Sequence, residues 1–227
     1  MQDLSLEMAK AVRRFEPIET EGLTLYPIQV KDIDEFTTAR PAIEFMQQSL
    51  PVAMLSKPLL QAYYTLELDA AKNGQPGSGL FYKCILFLLL AMRVGNGLPS
   101  EKRIELVDLE LQANDPTRLK SVLIFANGEV KRITPMQFQR LRPILAAQNG
   151  IELVSENANP ELVQAERDLA EMNAPKLQYR VETLKATIAT FSGADEADME
   201  EWPILKLLLR RDAVQRLAGK PVPKSSV

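Results

Sequence analysis

One stretch of the chain constrains its fold more than any other: Cys84 to Met92, CILFLLLAM, in which every side chain is apolar. Lys83 and Arg93 bracket it. A run this short falls far below the roughly 20 apolar residues of a membrane span. A helix that is apolar on all sides belongs inside a protein. The expectation is a central helix from about Leu80 to Val94, ended by Gly95 and preceded by the loop Asn73 to Gly79, NGQPGSG. Cys84, Leu86, Leu89 and Leu90 are expected to be buried.

Other elements arrange themselves around this helix. Residues 1–12 read as a frayed or docking helix. Arg14 to Glu19 and Leu23 to Val30 are extended runs separated by Glu21-Gly22, which suits a tight hairpin turn. Asp32 is placed to cap a helix with Ile33, Phe36, Ile43 and Phe45 on its apolar side, and Pro41 should kink or restart it. Pro51 starts another segment, and Pro58 suits the first residue of a helix to about Lys72. Residues 104–133 change character. Asn127-Gly128 between extended runs predicts a β-hairpin from about Leu119 to Ile133, with a further strand at 104–111. Thr134-Pro135 then opens a helix lined by Phe138, Leu141 and Leu145, which Asn149-Gly150 closes. Further helices are expected to open at Asn159-Pro160 and Pro175, and a last one runs from about Trp202 to Ala218. The expected fold class is mainly α: a helical body with one or two small β-hairpins. The expected organisation is an N-terminal helical part, 1–133, with β-hairpin elements at about 14–30 and 104–133. A C-terminal helical part, 134–219, follows, and then a disordered tail, 220–227.

Composition narrows the chemistry. The 227 residues contain no histidine and one cysteine, Cys84. This excludes Ser-His-Asp and Cys-His catalysis, His-ligated zinc and any intrachain disulfide. A lone thiol fits a reducing compartment. The formal charge of −3, from 27 basic and 30 acidic residues, gives no overall basic excess for nucleic acid. The first residues lack a basic start followed by a long apolar core, so no signal peptide is expected.

Each remaining candidate has a plain structural alternative. Asn73 to Gly79 leads into a helix, but Leu80-Phe81-Tyr82-Lys83 follows where a phosphate loop requires Gly-Lys-Ser/Thr. Asp195, Glu196, Asp198, Glu200 and Glu201 lack the glycine-centred spacing of a calcium loop and suit the positive end of the last helix. Glu152 and Glu156 read as surface residues, and Ser192-Gly193 has no base to activate it. Cys84 among apolar neighbours reads as a core thiol. Phe138 to Arg142, FQRLR, is the best candidate for a base-reading segment, with surface arginines as the simpler reading. No catalytic residue, cofactor-binding residue, cofactor or metal ligand is expected. The last helix carries Trp202, Leu205, Leu208, Leu209 and Arg210, a candidate partner-binding set of the residue types that dominate interfaces. The same stripe could instead pack on the chain's own body.

Four segments carry a resemblance: GLTLYPIQVKDIDEF, ITPMQFQRLRPILAAQNGIEL, NPELVQAERDL and WPILKLLLRRDAVQRLAG. In order and spacing they resemble a family of tail-assembly and tail-region proteins from bacteriophages and prophages of Gram-positive (gut Firmicutes) bacteria. The resemblance implies a non-enzymatic accessory protein for building a tail, chaperone-like towards the tape-measure protein or another tail component. Its expected partners are other phage tail proteins, with a homo-oligomer as a further option and neither membrane nor nucleic acid. Its expected location is the host bacterial cytoplasm or the virion. A permanent subunit of a tail or baseplate fits the residues equally well, and a helical nucleic-acid-binding regulator fits them less well.

Overall fold

The computed structural model describes residues 5–126, 128–153 and 177–217. The expected helix opening at Asn159-Pro160, the helix start at Pro175, Asn127 of the hairpin turn and the tail 220–227 lie outside the described residues.

Helix α1, Leu6–Arg14, opens at Ser5, whose hydroxyl accepts the Met8 N–H at 3.3 Å. Strands β1, Ile18–Thr20, and β2, Leu23–Leu25, form an antiparallel pair. Their turn has positive φ at both Glu21 and Gly22, 54° and 75°, the conformation that matches strand twist in a two-residue hairpin. Helix α2, Ile33–Glu44, continues through Pro41 and buries Phe36, Ala39, Ala42 and Ile43. Helix α3 spans Leu59–Lys72, with Pro58 as its N-cap rather than its first residue. Helix α4 spans Leu80–Ala91, and all of Cys84 to Ala91 is buried. It packs on α2, where the Phe36 and Phe87 rings lie 5.8 Å apart, and β2 is tied to its end by the Tyr26 N–H to the Ala91 carbonyl at 2.7 Å.

After a short helix α5, Ser100–Ile104, three strands follow: β3, Val107–Gln112; β4, Asp115–Ala126; β5, Glu129–Ile133. They form one antiparallel sheet in the order β3-β4-β5, with irregular register around Leu111. Helix α6, Pro135–Gln148, starts with a capping box in which Thr134 and Gln137 satisfy each other's backbone N–H groups. It ends at Asn149, with Gly150 at φ 66°. Helices α7, Leu177–Ser192, and α8, Ile204–Leu217, complete the described chain.

The expected mainly α class is corrected. Among the described residues eight helices stand beside two small sheets, so the fold is mixed α/β, dominated by helix. The reason lies in β4. The polar start Asp115-Pro116-Thr117-Arg118 carries no apolar alternation, yet it pairs with the end of β3 and lengthens the strand to 12 residues. The sheet is also no appendage. Leu119, Val122, Ile124 and Ile133 are fully or almost fully buried in the same core as α4. That core is continuous across residue 134, joining Leu86 and Phe87 to Phe138, Leu141 and Leu145.

Among the described residues no helix is long and apolar enough to cross a membrane.

Candidate partner-binding face

The candidate residues of the last helix separate onto two sides. Its start is stitched to the segment between β2 and α2. Val30 donates its N–H to the Trp202 carbonyl and Ile204 donates to the Ile28 carbonyl, both at 2.9 Å, while Gln29 and Pro203 form a bridge. Ile204 and Leu207 are buried, and Leu205 and Leu208 lie against Gly150. A Cβ on Gly150 would stand 3.0 Å from Leu205 Cδ1 and 3.6 Å from Leu208 Cδ1. Leu205 and Leu208 therefore contribute to packing within the chain.

Lys206, Leu209, Arg210 and Ala213 recur at helical spacing on the other side, and Trp202 stands one turn before Lys206. Leu209 is 40% exposed, and Arg210 and Ala213 are exposed. The Lys206 ammonium lies over the half-buried Trp202 ring at 4.0 Å, holding the indole and the cation as one unit. This stripe brings together an aromatic ring, an exposed leucine and two cations. Close to it, Lys31 pairs with Glu201 at 2.8 Å, and the Gln29 amide donates to the same carboxylate at 2.7 Å. Lys31 holds the Glu201 carboxyl below its ordinary range.

The other sequence candidates are placed as follows. FQRLR contributes inward or to the chain's own surface: Phe138 is buried, and Arg140 grips Glu21 through two bonds at 2.7 and 2.9 Å. Arg142 donates to the Ile43 and Phe45 carbonyls at 2.9 and 2.6 Å, satisfying carbonyls at the end of α2 that have no intrahelical partner. Cys84 is wholly buried, and burial pushes its thiol well above the ordinary range. In the loop before α4, Ser78 donates to Glu67 at 2.7 Å and accepts the Leu80 N–H at 3.2 Å. Glu196 and Glu200 line an open groove of about 570 Å³ with Glu182 and Lys185, and Lys185 pairs with Glu200. Glu152 is exposed, and Glu156 lies outside the described residues. Among the described residues no three His, Cys, Asp or Glu side chains are grouped to hold a metal ion.

Among the described residues three charged side chains are buried, Asp32, Arg103 and Asp212, in roles that sequence reasoning missed. Asp32 stands at the N-cap of α2 but makes no capping bond. Its carboxylate instead accepts from Arg103 Nη2 at 2.7 Å, and Arg103, only 2% exposed, also donates through Nε to the Leu98 carbonyl at 2.8 Å. Asp212 is 3% exposed; Arg211 reaches its Oδ1 at 2.8 Å, and its Oδ2 has no hydrogen-bond partner among the described residues. The Asp32–Arg103 pairing has no local signal, because 71 residues separate the two. Arg211 adjoins Asp212 in sequence, but the burial of Asp212 has no local signal, since an Asp in a helix is ordinarily solvated.

Comparison of the chain with protein-family models, with curated proteins and with solved structures gave no match.

Proposed function

We propose that the protein acts by binding other proteins rather than by catalysis, as an accessory protein of bacteriophage tail assembly. In this reading it is chaperone-like towards the tape-measure protein or another tail component. The tail assignment rests on the resemblance carried by four segments of the chain. The binding mode rests on one observation: the outward stripe of Trp202, Lys206, Leu209 and Arg210, with Leu209 40% exposed and Lys206 stacked on the indole at 4.0 Å. Trp and Arg next to an exposed apolar side chain are the residue types that concentrate binding energy. The nucleic-acid reading draws no support from FQRLR, whose arginines are engaged by Glu21, Ile43 and Phe45.

The test is co-expression with each protein of a tail gene cluster, followed by affinity capture. The Leu209→Asp/Arg210→Glu variant alters only the outward side. It should keep the wild-type melting temperature and lose the captured tail protein. Capture unaffected by the double variant would remove α8 as the binding face. Capture of no tail protein by the wild-type chain would remove the assembly role. Mass spectrometry of purified particles then separates a transient chaperone, absent from them, from a permanent subunit.

A further inference from the structure

Strand β5 is an edge: among the described residues no strand pairs with its second side. The neighbouring ladder shows which of its backbone groups are open. Phe125 donates its N–H to the Leu106 carbonyl at 2.9 Å, so its main-chain polar groups point towards β3. Phe125 stands opposite Val130. Theirs is therefore a pair without mutual hydrogen bonds, and Val130 turns its N–H and C=O away from β4, as does Arg132.

The side chains along this edge are patterned. Phe125 and Val130 share the face that turns away from the core, and they are 45% and 54% exposed. Glu129 and Lys131 occupy the opposite face of β5 and pair with each other at 2.7 Å, with side chains 69% and 37% exposed. Lys131 holds the Glu129 carboxyl below its ordinary range.

We propose that β5 joins two copies of this chain, edge to edge and antiparallel, about a twofold axis at Val130. In that register Val130 meets the second copy's Val130, and the two open residues exchange N–H···O=C bonds. Glu129 of each copy then stands opposite Lys131 of the other, giving two opposite-charge pairs. On the other face, Phe125, Val130 and their two counterparts form one continuous apolar row. Charge selects this register. An axis at Lys131 sets lysine against lysine, and an axis at Arg132 sets arginine against arginine, both destabilising. The shared ladder is short, so the pair is a concentration-dependent equilibrium rather than an obligate dimer. This contact is independent of the proposed role in tail assembly.

Sedimentation velocity over a concentration series tests the proposal on the full chain. The wild-type chain should move from monomer towards dimer as concentration rises, less so at high salt. Val130→Pro should abolish the dimer, because it removes the open N–H while leaving the β4–β5 ladder intact. Glu129→Lys alone and Lys131→Glu alone each set like charges across the axis, and each should weaken self-association by about tenfold or more. Mixing these two variants should restore dimer, since every pair across the axis is then of opposite charge. Far-UV circular dichroism checks that each variant is folded, and the charge variants decide the matter should Val130→Pro fail that check. A wild-type chain monomeric throughout would overturn the proposal, whether or not another protein takes the edge. So would a dimer indifferent to all three substitutions, or a mixture no more associated than its components.

Discussion

Arg103 shows how much one side chain can carry. It is among the largest fully buried side chains of the protein, yet it is a cation, tolerated because Asp32 and the Leu98 carbonyl receive its N–H groups. Removing the cation alone leaves the Asp32 carboxylate mostly buried without its partner. Arg103→Met should therefore cost about 3 kcal/mol, while Arg103→Met combined with Asp32→Leu should recover most of that loss; urea denaturation measures both. A double variant no more stable than the single one would count against a desolvated pair. Leu89 is wholly buried in α4. Leu89→Ala should lower stability by about 2–5 kcal/mol in the same assay, and a loss under about 0.5 kcal/mol would contradict its place in the core. Cys84 lies on the same helix with its thiol pushed up by burial. Its alkylation by iodoacetamide at pH 8 should therefore be negligible in the native protein and should rise only with unfolding.

The joint between α6 and α8 is a case in which an element depends on one glycine. Gly150 has φ 66° and also has Leu205 at its open side. Gly22 has φ 75° with no atom within 4 Å of an added Cβ. Both Gly→Ala substitutions carry the left-handed backbone penalty of about 1 kcal/mol, but only Gly150→Ala also presses on the Leu205 side chain of α8. Thermal melts should show Gly150→Ala as the more damaging, and equal losses would mean that Leu205 yields freely. Ending the chain after Gly193 is harsher. It strips the partners of the Ile28 carbonyl and the Val30 N–H and removes Met199, Ile204 and Leu207 from the core. The shortened chain should melt well below the full one or aggregate. The outward stripe of α8 is thus presented by an anchored helix, which makes point substitution the informative way to probe it.

At the scale of the whole molecule, the continuous core ties the parts before and after residue 134 together. A single tryptophan, Trp202, sits where α8 joins the segment between β2 and α2. Its fluorescence reports that junction, whereas far-UV circular dichroism reports all the helices. The two signals should change together in one cooperative transition on heating or in urea. Two separate transitions would instead support independent units at 1–133 and 134–219.

Much of the local structure was legible in the residues because its causes are local. The apolar run Cys84 to Ala91 had to be buried, Glu21-Gly22 had the freedom for its turn, and Thr134-Pro135 with Gln137 supplied a complete helix start. Side-chain chemistry within a few residues decides each of these. The extent of the sheet was not legible, because Asp115 to Arg118 becomes strand only through pairing with β3. Nor was the role of Asp32, since a carboxylate suited to a cap was taken by a cation 71 residues away. The last helix shows the same division. Its sequence marked Trp202, Leu205, Leu208, Leu209 and Arg210 alike, and only the position of Gly150 and of Ile28 to Val30 turned Leu205 and Leu208 inward and left Leu209 and Arg210 facing water. Periodicity states which side chains share a face. Which face meets the body depends on contacts between distant segments, and those exist only once the chain has folded.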